Sequence, residues 1–247
     1  ILLNADKECG LTVSGGTHNS CAPTYDFFER VFMVVLRKLG VSIDAKRHQY
    51  GFYPAGGGSF SLSTKPWLTR NPAQFLSAGS VKKISAEVIF VKLPVHIAKR
   101  ELQVLEQCVA LKQSSHQFPS PEYAIHQVES RGPGNVVSIL IERDQTESNV
   151  PELVTAFGTK GWPSEKVAQD AFEEAVAFIE ADVPIGQHLA DQLLLPLALA
   201  GGGAFRTGSL SEHTRTNIAT IKAFLDINIK ATPSSDGAST TIRISKD

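Results

Sequence analysis

Residues 185–218, IGQHLADQLLLPLALAGGGAFRTGSLSEHTRTNI, decide how this chain is read. A polar cluster of Gln187, His188, Asp191 and Gln192 opens an apolar helix. Three glycines, Gly201, Gly202 and Gly203, lead into a short strand at 205–207. His213 then sits among small hydroxyl residues at the mouth of a second helix, which carries Ile218, Ile221, Phe224 and Leu225. An apolar helix needs no such polar cluster, and a helix start needs no histidine. Two such departures so close in sequence suggest one site.

After that second helix the pattern continues as a strand at 227–231, a turn at 233–237 and a last strand at 240–244. The same order occurs near the N-terminus. A strand at 11–13 ends in Ser14-Gly15-Gly16-Thr17-His18-Asn19. A helix is expected over about 24–39, with Phe27, Val31, Val34, Val35 and Leu39 at helical spacing and Gly40 at its C′ position. Strands at 41–45 and 60–63 follow, the second after Gly56, Gly57 and Gly58. His18 and His213 hold matching places in the two units, and the repeat rests on element order.

A different block separates the units. It contains strands at 88–93, 136–141 and 153–157 and a helix at 96–111. A second helix runs from about Ser164, read as its N-cap, to 181. Segments 65–80 and 112–121 read as loops. The expected class is α/β: strand-helix-strand-strand repeats in residues 1–81 with 184–247, interrupted by a smaller α/β domain at 82–183.

Composition narrows the function classes. The chain has 247 residues, 42% hydrophobic and 20% charged, with a formal net charge of −1, which describes an ordinary globular protein without a broad basic surface for nucleic acid. Cys9, Cys21 and Cys108 are scattered, so no disulfide framework is suggested and a reducing compartment fits. The longest apolar run, 193–200, is too short for a membrane span and contains Pro196. No HExxH pattern or His/Cys cluster points to zinc.

Each candidate also has a plain reading. An imidazole at a helix mouth, where N–H groups and the dipole favour phosphate, can attack phosphorus and form a covalent intermediate; it can equally be a cap or a surface residue. His188, Asp191 and Gln192 share one helix face and can grip a ligand together, or simply make a wet first turn. The Ser14-to-Asn19 loop offers successive N–H groups as a phosphate cradle, though it is not a Walker A loop. The triple glycines mark tight turns or close backbone approach, and RGPGN at 131–135 reads as a turn without chemistry.

Together, five motifs resemble the RNA 3′-terminal phosphate cyclase family: SGGTHNSCAP at 14–23, GFYPAGGG at 51–58, RGPGN at 131–135, HLADQLLLPLALAGGG at 188–203 and EHTRTNI at 212–218. The resemblance implies an enzyme that uses ATP to convert an RNA 3′-phosphate into a 2′,3′-cyclic phosphodiester. The route is a histidine–AMP intermediate and then an RNA-adenylate, assisted by a divalent metal (magnesium or manganese). It implies His213 as the nucleophile, and Pro23, Phe27, His188, Leu189, Ala190, Asp191 and Gln192 as nucleotide-binding residues. Pro23 and Phe27 would flank the adenine opposite His188, where family members often carry tyrosine. The family also has a small domain inserted between its repeats.

Family members begin with a further N-terminal portion bearing glycine-rich and arginine-rich motifs and a metal-associated glutamate. This chain starts at Ile1 and has its only methionine at Met33, so it reads as a fragment. Its metal ligand is expected upstream, and alone it is expected to be inactive or weakly adenylated. One alternative is a non-catalytic cyclase-like protein of ribosome assembly and RNA processing, which lacks the nucleophilic histidine that EHTRTNI supplies here. Another, an enolpyruvyl-type transferase, would need a basic cluster that is not found. The expected location is the cytoplasm, or the nucleus in a eukaryote.

Overall fold

A computed structural model of the chain describes residues 2–112, 119–144 and 150–246. Near the N-terminus lie β1 (Cys9–Gly15), β2 (Ile43–Gln49) and β3 (Gly58–Thr64), with helical segments α1 (Tyr25–Phe27) and α2 (Met33–Lys38) between β1 and β2. Phe28–Phe32 joins α1 to α2 as one π turn, a detail that the apolar spacing did not reveal. Thr24 caps the helix by accepting the Phe27 N–H at 3.1 Å. Gly40 (φ +92°) ends it, where a Cβ would lie 2.2 Å from the Thr69 carbonyl oxygen. The C-terminal unit has β9 (Gly203–Thr207), α6 (Glu212–Phe224), β10 (Asn228–Pro233) and β11 (Thr240–Ser245).

The two units share more than element order. β3 lies between β1 and β2, and β11 lies between β9 and β10, all antiparallel. In both, the helix carries the chain from one outer strand to the other and the third strand fills the gap.

Between them stand β5 (Val81–Val91), α3 (Val95–Lys112), β6 (Glu122–Gln127), β7 (Gly134–Arg143), β8 (Glu152–Phe157) and α4 (Ser164–Glu180). Their sheet runs β6-β5-β7-β8; β5 and β6 are parallel across the α3 connection, and the other pairs are antiparallel. α3 and α4 pack against one another, and Val88, Phe90, Leu105, Val137, Ile139, Val154, Ala168 and Ala171 form a buried cluster with them. Ile89, Val91 and Val136 instead pack against Phe52 of the N-terminal unit.

Some sequence expectations need correction. β6 was not foreseen, and β4 (Ala73–Phe75) lies inside the segment read as a loop. β4 pairs in parallel with β9, so it exists through a partner far along the chain and not through local alternation. Of the loop expected at 112–121, residues 113–118 lie outside the described residues. Pro163, not Ser164, holds the N-cap position of α4, and it supplies no side-chain bond. Phe224, one of the apolar residues that the sequence places on this last helix, is 84% exposed.

The helix α5 (Gln187–Leu199) runs through the main core. Leu189, Leu193, Leu194 and Leu197 are wholly buried, among Phe27, Phe75, Phe205 and Ile242. Four buried leucines contribute ~6–12 kcal/mol of transfer free energy. That outweighs the ~3 kcal/mol cost of Pro196 inside the helix. Among the described residues no helix is long and apolar enough to cross a membrane.

Conserving loop geometry in the N-terminal unit falls to a buried polar relay. Thr17 Oγ1 accepts the Gly51 N–H at 2.9 Å and lies 2.8 Å from His18 Nδ1. His18 Nε2 stands 2.7 Å from Asp26 Oδ2, and Arg47 donates to Asp26 Oδ1 at 2.7 Å. Ionised Asp26 accepts from the His18 Nε2–H, so in the neutral ring the Thr17 hydroxyl donates to Nδ1. Burial would raise the Asp26 pKa, but the His18 hydrogen bond and the Arg47 charge outweigh it and hold the carboxyl at about 2. A depressed carboxylate stabilises the fold above its ordinary pKa and loses that contribution as pH falls through the folded value. Asp26→Asn is therefore expected to cost about 2 kcal/mol near neutral pH, with the difference from the parent shrinking between about pH 4 and pH 2. Urea denaturation across a pH series checks this; a pH-independent difference would refute the assignment.

Candidate active site

Two helices begin at the same end of β9. The residue before the α5 N-cap, Ile185, bridges in parallel to Thr207, the last residue of β9. From Thr207 a four-residue connection reaches α6, whose N-cap Ser211 accepts the Thr214 N–H at 3.1 Å. His188 and His213 both stand in first turns, so His213 is part of its helix and not of the loop before it. α5 and α6 pack together, with Asn217 Nδ2 3.4 Å from the Asp191 carbonyl oxygen.

Asp191 lies within electrostatic reach of both His213 and His188. Its pKa is raised, because burial favours the protonated form by more than the two imidazoles oppose it. Glu174 on α4 also reaches His188 and is likewise raised by burial. His188 and His213 are exposed and Asp191 and Gln192 half-buried. Two helix N-termini thus face a patch holding two accessible imidazoles and a carboxyl. The N–H groups and dipoles favour an anion such as a phosphate, and either ring can act as nucleophile or proton carrier.

The other nucleotide-binding candidates are placed differently. Leu189 and Ala190 are buried, with Phe27, in the main core. Pro23 is exposed on the loop before α1. The Ser14-to-Asn19 loop is not a free phosphate cradle, since Thr17 N–H and His18 N–H both donate to the Gly51 carbonyl. His18, the counterpart of His213 in element order, is 1% exposed and carries no open ring nitrogen.

Sequence reading missed Glu152. It opens β8, is buried, and its carboxyl lies near the N–H groups of Gly186 and Leu153. Its Oε2 has no hydrogen-bond partner. Glu152, Glu174, Gly186, His188 and Ser209 line a cavity of about 240 Å³ beside the histidine patch. Burial, first, and the nearby Glu174 charge push the Glu152 pKa up to about 8, against the Gly186 and Leu153 N–H groups and Arg143. The only local signal was a carboxylate opening a largely apolar strand. Among the described residues no group of three or more His, Cys, Asp or Glu could hold a metal ion.

Comparison with known proteins gives one consistent result. The sequence model of the RNA 3′-terminal phosphate cyclase family matches residues 1–231. The chain is 38% identical over 224 residues to the RNA 3′-terminal phosphate cyclase of Salmonella agona, covering 90% of this chain and 61% of the relative. It is 37% identical over 234 residues to that of Salmonella typhimurium (94% and 65%). It is also 37% identical over 229 residues to that of Koribacter versatilis (93% and 62%). The chain therefore spans less than two thirds of the length of these relatives.

The cavity carries its own test. Between pH 4.5 and about 8 folded Glu152 keeps a proton that the unfolded chain releases, so stability falls as pH rises through that window. Glu152→Gln is expected to flatten the dependence and raise the melting temperature most at pH 8–9. Calorimetry at pH 5, 7 and 9 reads it, and an unchanged slope would contradict the burial of this carboxyl.

Proposed function

Because the chain belongs to the RNA 3′-terminal phosphate cyclase family, we propose that it catalyses ATP-dependent cyclisation of an RNA 3′-phosphate, with His213 as the nucleotide carrier. A nitrogen of His213 attacks the α-phosphorus of ATP; the N–P bond forms and the bond to pyrophosphate breaks. AMP then passes from His213 to an oxygen of the RNA 3′-phosphate, turning a poor leaving group into a good one. The neighbouring 2′-hydroxyl attacks that phosphorus, AMP departs, and a 2′,3′-cyclic phosphodiester remains. Holding the hydroxyl beside the activated phosphate makes the last step intramolecular, with its large gain in effective molarity.

In this reading the N-termini of α5 and α6 receive the phosphates. His188 stacks on the adenine opposite Pro23, with buried Phe27 backing that side from the core, while Leu189 and Ala190 contribute main chain. Asp191 and Gln192 bind the nucleoside. A divalent cation, magnesium or manganese, would accompany ATP and offset the charge of its phosphates. Residues 1–81 with 184–247 would make the catalytic body and 82–183 an inserted unit, a division supported by the separate sheet and core of β5 to β8. The enzyme would act on RNA in the cytoplasm, or in the nucleus of a eukaryote. A non-catalytic role is not favoured, because the relatives matched are named as cyclases.

The observation that carries the reading is the gathering of His188, Asp191 and His213 at two adjoining helix starts. The test uses ATP labelled at the α-phosphorus. The parent is expected to take up acid-labile AMP, and His213→Ala to lose roughly a thousand-fold or more of that transfer. Labelling that survives His213→Ala would show that another residue is the nucleophile.

A further inference from the structure

A second, larger cavity of about 630 Å³ lies away from the histidine patch. Parts of three motifs to which the reaction gives no role converge on it: His18, the Phe52-Tyr53-Pro54 turn and Pro133-Gly134-Asn135. The loop Gly158 to Trp162 closes another side. These loops interlock tightly. A Cβ on Gly134 would meet the Phe52 ring at 2.1 Å, and one on Gly132 would lie 2.5 Å from the Ala55 Cβ.

Its lining is aromatic with one buried polar end. Phe52 and Phe157 form part of the wall, while Tyr53 and Trp162 stand at it 80% and 56% exposed. Large aromatics left this open in a cavity suit an aromatic ligand face. At the other extreme, Glu101 is 1% and Asn135 3% exposed. Asn135 Nδ2 donates to Glu101 Oε2 at 2.9 Å, and Asn135 Oδ1 is buried with no partner, beside Gly158 at the cavity wall. Burial, opposed by the Asn135 hydrogen bond, raises the Glu101 pKa to about 7, so near neutrality the carboxyl both donates and accepts. A flat ring bearing donors and acceptors on one edge answers both features: faces to stack on, and an edge for Glu101 and Asn135.

Position selects the kind of ring. β8 and α4 each carry one end to this cavity and the other to the histidine side: Phe157 and Ser164 here, Glu152 and Ala177 there. Five strand steps or thirteen helical steps separate the two cavities by roughly 17–20 Å. That equals roughly five or six nucleotides at the ~3.4 Å rise of stacked bases, fewer if the strand is stretched. We infer that this cavity binds a nucleobase of the RNA strand upstream of its 3′ end, stacked against Tyr53 and Trp162 with its polar edge on Glu101 and Asn135. The inference rests on the RNA reading above and adds a subsite to it. It gives a chain of formal net charge −1 a way to hold single-stranded RNA by stacking.

Photocrosslinking tests this with 3′-phosphorylated oligonucleotides that carry 4-thiouridine at successive positions. A base three to six nucleotides from the end is expected to crosslink to Tyr53 or the 158–162 loop. Trp162→Ala is expected to weaken oligonucleotide binding roughly ten-fold. Crosslinks only elsewhere, no RNA binding, unchanged affinity in Trp162→Ala, or displacement of the crosslink by ATP would each overturn the inference. A crosslink at these residues in a protein that takes up no AMP would sustain the subsite and refute the His213 mechanism alone.

Discussion

The buried carboxyl of Glu152 packs against Gly186, the residue from which α5 begins. It lies against Gly186 from the start of β8, and a side chain at position 186 would bring a Cβ within 2.3 Å of Oε2. With the start pinned there, burial of Leu189, Leu193, Leu194 and Leu197 sets the helix's rotation about its axis. One rotation satisfies all four leucines, and it leaves His188 exposed and Asp191 half-buried beside α6. The Ile185–Thr207 bridge then makes the end of β9 the common origin of both helices. The site is a consequence of that anchoring, since neither histidine makes the contacts that hold it in place.

The two repeats show how one topology serves different ends. His18 and His213 follow the first strand of equivalent units, yet one is enclosed by Thr17, Asp26, Tyr50 and Phe52 and the other faces solvent. With both ring nitrogens engaged, His18 locks the loop at 51–53 against the β5–β8 sheet. Exposed on a first helical turn, His213 keeps its ring available. The glycines of the N-terminal loops belong to this locking role: Gly51 sits where a Cβ would come 2.3 Å from the Gly58 nitrogen and 2.7 Å from the Gly15 carbonyl oxygen. Backbone approach that close leaves room for hydrogen alone.

Legibility followed the range of the interactions. Helices with strong periodicity and the strands with continuous apolar runs were readable, because burial stamps its period on neighbouring residues. β4 was not, because three residues hold no period and its hydrogen bonds go to β9. Phe224 fits an inward helical spacing yet nothing covers it in the structure. The π turn at Phe28–Phe32 shifts helical phase by an amount too small to show in spacing. Within the site, His188, Asp191 and Gln192 could be grouped from i, i+3 and i+4 positions alone, whereas Glu152 and Glu174 approach from β8 and α4 and left no local trace.

By itself the sequence determined the element order, the repeated strand-helix-strand-strand plan, the polar cluster at the head of an apolar helix, and the motifs that mark the family. All of these are written in residues close to one another, where spacing and turn chemistry act. Only the tertiary structure decided that two helix starts share the end of β9, that His18 is enclosed while His213 is open, and that a carboxyl from another sheet lies under α5. Those outcomes depend on which surfaces are removed from water together, and residues distant in the chain settle that jointly.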